Sequence, residues 1–258
     1  MDEDVATWVR RLSRRCDFLE AMREGPKTPA TLVEELGVSR STVSRALTPL
    51  TEAGLVTNTA DGYRTTVLGR VVLDRYATFE RNLGDLFELR DLLDMLPPDA
   101  PLETGVLLGA TGVHPEPGAS YRPGNHMAEL LEETEQLLGV TATHSHPGAV
   151  ELFHRRVTEE GMSVRLVIAE PMFERIRDRE RFREMIRTER FEAWTVPSVP
   201  YGLFHLDLGT GSRMTLLVYD DADVLKGVIE NETSQALEWA RTRIEARIEE
   251  GRPVHERV

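Results

Sequence analysis

Apolar side chains recur at helical spacing through the first third of the chain, and the breaks between the runs mark where helices end. Val5, Trp8, Val9, Leu12, Phe18, Leu19 and Met22 predict an amphipathic helix over residues 5–23. Thr28 suits a helix N-cap, Pro29 the first helical position and Gly37 the left-handed residue past the end, which predicts a short helix from Pro29 to Leu36. Ser39 caps a second helix after a very tight turn, and on it Val43, Ala46, Leu47 and Leu50 share one face. Pro49 removes the backbone bond to the Arg45 carbonyl, so a kink is expected in the last turns. After Gly54, Asp61-Gly62 separates two β-prone runs as a hairpin. One helix is expected from Thr66 to Leu96, ended by Pro97-Pro98. Along it Val72, Tyr76, Phe79, Leu83, Leu86 and Leu93 make a seam of about three heptads, with Arg90 at the missing position.

Beyond Thr104 the period changes. Strands are expected at Gly105 to Leu108, Val140 to Thr143, Ser163 to Ile168, Glu192 to Val196, Gly202 to Leu208 and Met214 to Tyr219. Helices are expected near 125–138, 149–160, 171–189 and 231–249, which is α/β order. The division predicted is 1–70, 71–98 and 99–258: a small helical domain with a hairpin, a linker and dimerisation helix, and an α/β domain.

The polar face of the helix after Ser39 carries Arg40, Ser41, Thr42, Ser44, Arg45 and Thr48 near its N-terminus. Short hydroxyls and guanidinium groups at that end suit base edges and phosphates in a major groove. Arg64, with Tyr63, lies on the hairpin within reach of a phosphate or minor groove. The order helix, tight turn, helix, hairpin is that of a winged helix-turn-helix. The run Ser39-Arg-Ser-Thr-Val-Ser-Arg-Ala-Leu with Glu52-Ala-Gly-Leu-Val resembles the winged-helix regulators of archaea and bacteria. The resemblance implies a double-stranded DNA operator as partner and a homodimer on two half-sites.

Charge sharpens this picture. The formal net charge is -13, yet residues 1–70 hold ten basic and ten acidic side chains, so the whole excess lies beyond residue 70, in a part not suited to touching nucleic acid. Lys27 and Lys226 are the only lysines among 31 basic residues; with the abundant carboxylates, this composition resembles haloarchaeal proteins. A GC-rich genome accounts for the scarcity of lysine but not for the acidity. Cys16 is the single cysteine, which excludes an internal disulfide and a thiolate metal cluster; it reads as a small core residue, with a thiol sensor linking subunits as the alternative. No apolar run has the length of a membrane span, and Met1-Asp-Glu-Asp lacks the basic start of a signal peptide, so a cytoplasmic protein is expected. Arg10, Arg11, Arg14 and Arg15 form a basic band on the first helix, read as a solvated face.

Residues 100–250 resemble the effector domain of archaeal filamentation regulators, whose fold is similar to the phospholipase D superfamily without its chemistry. The resemblance rests on Gly112-Val-His-Pro-Glu-Pro-Gly-Ala-Ser-Tyr-Arg-Pro123 and Val228-Ile-Glu-Asn-Glu-Thr-Ser-Gln-Ala-Leu-Glu-Trp239. Neither lysine has a histidine two residues before it, so the phospholipase D nucleophile motif is absent; Walker, dinucleotide and nucleophile-elbow motifs are absent as well. No catalysis and no cofactor are expected. A small-molecule effector is expected instead, phosphorylated or carboxylated in the reading that gives Arg122 a role. Loops after strands place its pocket at Thr111 to His126 and Thr143 to Pro147, with His114, Tyr121, Arg122, His126, His144 and His205 as candidate ligand residues. His205 and Asp207 share a strand face with Leu203. The alternatives are a metal site drawing on His114, His126, His144 and His146, a redox response, or an enzyme with an accessory DNA-binding domain.

Overall fold

A computed structural model describes residues 4–143, 148–220 and 222–257. The chain divides into two compact units, Met1–Leu83 and Gly84–Val258.

The first unit begins with α1 (Val5–Leu12) and α2 (Cys16–Ala21), where a single helix was expected. The break falls at Ser13–Arg15, where Arg15 adopts φ -140, ψ 3 and the amides of Arg14 and Arg15 close tight bonds to Arg11 O and Leu12 O. The turn lets Phe18, Leu19 and Met22 bury more completely than α1, of which only Leu12 is buried. Next come α3 (Pro29–Leu36) and α4 (Arg40–Glu52), with the expected caps: Thr28 Oγ1 accepts from the Thr31 amide, Gly37 is left-handed at φ 64, and Ser39 Oγ accepts from the Thr42 amide at 3.2 Å. The helix continues through Pro49 as one 13-residue element. The Arg45 carbonyl that proline leaves without its amide accepts instead from Arg15 Nη2 at 3.4 Å, so one arginine of the basic band has a structural partner.

Strands β1 (Val56–Thr59) and β2 (Gly62–Thr65) form the hairpin. Thr59 pairs with Gly62, so the connecting residues are Ala60-Asp61, one position before the expected dipeptide. Gly62 is needed twice over: its φ is 125, and a Cβ there would sit 2.5 Å from Lys27 O, where Lys27 and Tyr63 bridge their backbones. Thr65 Oγ1 donates to Leu19 O at 2.7 Å and ties the hairpin to α2. Leu32, Val43, Leu47, Leu50 and Leu55 complete this core with Leu73 and Tyr76 of α5 (Val67–Glu88). Residues past 70 therefore belong to the first unit's core. Helix α5 passes close to the hairpin only because position 69 is glycine, where a Cβ would lie 2.1 Å from Leu55 O.

In the second unit α6 (Arg90–Leu93) follows after a one-residue break, so the expected 66–96 helix is two helices. Residues Thr104–Leu107 form a 3-10 turn and not the expected strand. The Asn231 side chain decides this: its amide donates to Val106 O at 2.9 Å and Leu108 O at 3.0 Å, which bends the backbone round one side chain. The remaining elements are β3 (Thr111–Val113), α7 (Arg122–Glu133), β4 (Gln136–Thr141), α8 (Ala149–Thr158), β5 (Ser163–Ala169), α9 (Glu170–Ile176), α10 (Glu180–Ile186), β6 (Phe191–Val196), β7 (Gly202–Asp207), β8 (Ser212–Tyr219), β9 (Leu225–Asn231), α11 (Ser234–Glu250), β10 (Arg252–Pro253) and a final 3-10 turn, Val254–Glu256. Thr134 ends α7 before the 138 expected, and the apolar run that follows is β4. The expected helix 171–189 is split into α9 and α10.

The strands lie in the order β10-β6-β5-β4-β7-β8-β9-β3. Strands β4, β5 and β6 are mutually parallel, and the other pairings are antiparallel. Alternation along each strand sends side chains to two apolar layers. Leu137, Leu166, Ile168, Phe204, Leu217 and Val228 meet α7 to α10 on one face. On the other, Val140, Val167, Leu203, Leu216 and Ile229 meet α11, α6 and the 104–107 turn. The unit is thus a three-layer α/β sandwich, and both faces of its sheet are dry.

Candidate functional site

The exposed face of α4 is short and polar. Arg40, Ser41, Ser44, Arg45 and Thr48 are exposed, while Val43, Ala46, Leu47 and Leu50 hold the helix to its core. Arg45 folds back on the preceding turn, its Nε donating to Ser41 O at 3.1 Å and its Nη2 to Ser41 Oγ at 3.3 Å. That contact orients the guanidinium along the helix surface and leaves its other donors outward. Thr42 is half-buried, with its hydroxyl 2.9 Å from the capping Ser39 Oγ, so it serves the cap more than the surface. On the hairpin Arg64 is exposed, whereas Tyr63 packs against the core. Six of the eight expected DNA-contact residues thus stand open to solvent.

The six expected effector residues do not assemble into one pocket. His114 and Arg122 meet only through a 3.5 Å bond from Arg122 Nη1 to His114 O, and the same Nη1 is 2.8 Å from Glu116 Oε1. Tyr121 is exposed. His126 on α7 makes a 2.6 Å contact to Glu230 Oε1. His205 is buried on the opposite sheet face with Leu203, and burial and the nearby Arg241 hold its pKa below the ordinary histidine value. His144 and the His146 of the metal alternative lie outside the described residues. Among the described residues, no three His, Cys, Asp or Glu side chains form a group that could hold a metal ion. The reason for the dispersal is topological: the loop from Thr111 follows a bent turn, and β3 pairs only with β9 at the sheet edge.

What the fold does build is a cavity of about 310 Å³ on the α7 to α10 side of the sheet. Leu166, Ile168, Phe204 and Leu217 form its floor; Phe153 of α8, Met172 and Ile176 of α9 and Phe182 and Met185 of α10 cover it. Gly139 makes room for the Phe204 ring, since a Cβ there would lie 2.3 Å from Phe204 Cδ1. The cavity reaches Thr141 and Thr143 at the carboxyl end of β4 and Tyr219 at the end of β8. This is the edge of an α/β sheet where ligands are expected, but on residues that sequence reasoning placed in the core. The Tyr219 hydroxyl is closed off from solvent and has no hydrogen-bond partner among the described residues. Burial pushes its phenol pKa far up, so the hydroxyl keeps its proton and remains a donor. A second, open cleft at the far sheet edge is lined by Thr111, Arg213, Glu230, Asn231, Glu232 and Thr233. There Arg213 pairs with Glu230 at 3.5 Å and with Glu232. Glu230 was not expected to matter, and only its position opposite His126 reveals it.

Residues 120–250 match the family described as methanogenesis regulatory protein FilR1, middle domain. Residues 2–85 match the HVO_A0261 N-terminal domain. Comparison with curated proteins gives no match. Among solved structures the chain is similar to TrmBL2, described as an archaeal chromatin protein with a novel mode of DNA binding, at 13% identity over 94% of this chain and 93% of that one, with a TM-score of 0.45. It is also similar to the phospholipase D family member Nuc from Salmonella typhimurium, at 12% identity over 56% and 97% of the two chains, TM-score 0.41. A third likeness is to polyphosphate kinase from Porphyromonas gingivalis, at 10% identity over 64% and 26%, TM-score 0.41. Identities this low transfer no function. The match over 120–250 spans just over half of the sequence, and on that ground the chain belongs to the family of the methanogenesis regulatory protein FilR1 middle domain.

Proposed function

We propose that this protein is a sequence-specific DNA-binding transcriptional regulator that grips a two-fold operator as a homodimer, with an operator affinity set by a small molecule in its second unit. The observation that carries the reading is the solvent-facing row Arg40, Ser41, Ser44, Arg45 and Thr48 at the capped N-terminal half of α4, beside a hairpin that presents Arg64. A helix so placed enters the major groove end-on, with arginines reaching guanine edges or phosphates and hydroxyls filling the shorter contacts. Membership in a family of regulatory proteins supports it. The second unit acts as a sensor and not as a catalyst, a reading supported by the missing histidine-x-lysine motif.

The test is operator binding by the double variant Arg40→Ala, Arg45→Ala, on DNA selected from a random pool by the wild-type protein. Each lost base or phosphate contact is worth about 1–3 kcal/mol, so affinity falls by roughly a hundredfold or more while the fold and the oligomeric state persist. Unchanged affinity in a folded double variant would refute the reading.

A further inference from the structure

The cavity under α8, α9 and α10 is too well defined to be a packing fault. Its wall includes five aromatic rings, Phe153, Phe182, Phe191, Phe204 and Tyr219. Three of them already meet edge to face: Phe153 with Phe191 at 6.2 Å and 86°, and Phe182 with Phe191 at 5.9 Å and 86°. A slot bounded by such rings favours a flat apolar guest, whose own edges and faces continue the pattern. Its volume of about 310 Å³ lies at the lower end of small-molecule sites, room for a compound of one or two fused rings.

Two observations settle how polar that guest is. The charged lining residues Glu151, Arg179, Glu180 and Arg181 are all exposed, and Arg181 is already paired with Glu151. A carboxylate or phosphate pushed among the rings would therefore lose its water without gaining a cation, at a cost of several kcal/mol. At the inner wall, however, the Tyr219 hydroxyl is shut from water and has no partner among the described residues. Leaving such a group without a bond costs about 1–3 kcal/mol. A ligand oxygen supplies what the protein leaves open.

We infer that this cavity is the effector site of the second unit and that it takes an uncharged aromatic compound of one or two rings carrying a hydroxyl or carbonyl oxygen, which hydrogen-bonds to Tyr219. The inference rests on the sensor reading above and changes its chemistry. The phosphorylated or carboxylated effector expected through Arg122 has no place here, because Arg122 is held by Glu116 away from this cavity.

The experiment follows the fluorescence of N-phenyl-1-naphthylamine, a neutral two-ring probe, with the full-length protein, and its displacement by naphthalene and by 2-naphthol. Wild-type protein is expected to brighten the probe, and 2-naphthol to displace it at lower concentration than naphthalene. In Tyr219→Phe the preference for 2-naphthol over naphthalene shrinks about fivefold, the worth of one neutral hydrogen bond, while naphthalene competes as before. Filling the cavity with Met172→Trp removes probe binding; circular dichroism and operator binding report whether that variant is folded, and Tyr219→Phe carries the test if it is not. No uptake of the probe by folded wild-type protein, or an unchanged 2-naphthol preference in Tyr219→Phe, overturns the assignment. Operator binding measured on the same samples separates the two readings. Operator binding without probe uptake removes the cavity alone, whereas 2-naphthol uptake that leaves operator affinity unchanged supports the cavity and removes the modulation.

Discussion

His205 shows how much one side chain's meaning depends on its surroundings. By sequence it is an alternating strand residue next to Asp207 and a plausible ligand contact. In the fold it is buried under α11, where desolvation and Arg241 disfavour the imidazolium. Folded His205 therefore resists a proton that the unfolded chain accepts as the pH falls through about 6.5. Since the unfolded state binds more protons in that window, stability is full above it and declines as the pH falls. Replacement by asparagine removes the term: denaturant melts at pH 7.5 and 5.5 should differ less for His205→Asn than for wild type. Equal differences would show that His205 is ionised or solvated in the native state. Tyr219 makes the same point from the other side. Its strand was readable from the alternation, but an unpaired hydroxyl is a property of neighbours far away in sequence, and no local pattern announces it.

At the scale of elements, the caps and breakers were read correctly because they act within a few residues. Thr28, Gly37 and Ser39 satisfy or end helices through bonds to their own neighbours. Elements whose form depends on distant partners were misread. The apolar run at 105–108 suits a strand as well as a turn, and Asn231 chose the turn. The seam along α5 is the other example. Val72 and Tyr76 pack into the first unit's own core and are not available to another subunit. The apolar residues left in the open are instead Leu68, Val71, Phe79 and Leu83, on one side of the helix, with Phe79 50% exposed. A row of that kind is the natural contact for a second copy of a regulator that needs two-fold symmetry. Phe79→Glu with Leu83→Glu should therefore reduce the sedimenting mass from that of two chains to that of one, with the circular dichroism spectrum unchanged. A dimer that survives both substitutions places the subunit contact elsewhere.

For the whole molecule, separate cores and separate charge mark separate tasks. The -13 net charge resides in the second unit, and the first is neutral, which leaves its arginines the dominant local field for a polyanion. Two cores without shared buried residues predict two unfolding transitions in calorimetry. Gly69→Ala drives a methyl into Leu55 O, so it should lower one transition, by roughly 2 kcal/mol or more of stability, and leave the other in place. A uniform shift of both would mean a single cooperative unit. The sequence alone determined the DNA-facing helix, its caps, the hairpin, the α/β class and the division of charge, because each is written in neighbouring residues or in composition. The tertiary structure decided where a ligand fits. A cavity is the space left when α8, α9 and α10 close over four strands, and its lining comes from residues that, read one at a time, look like ordinary core.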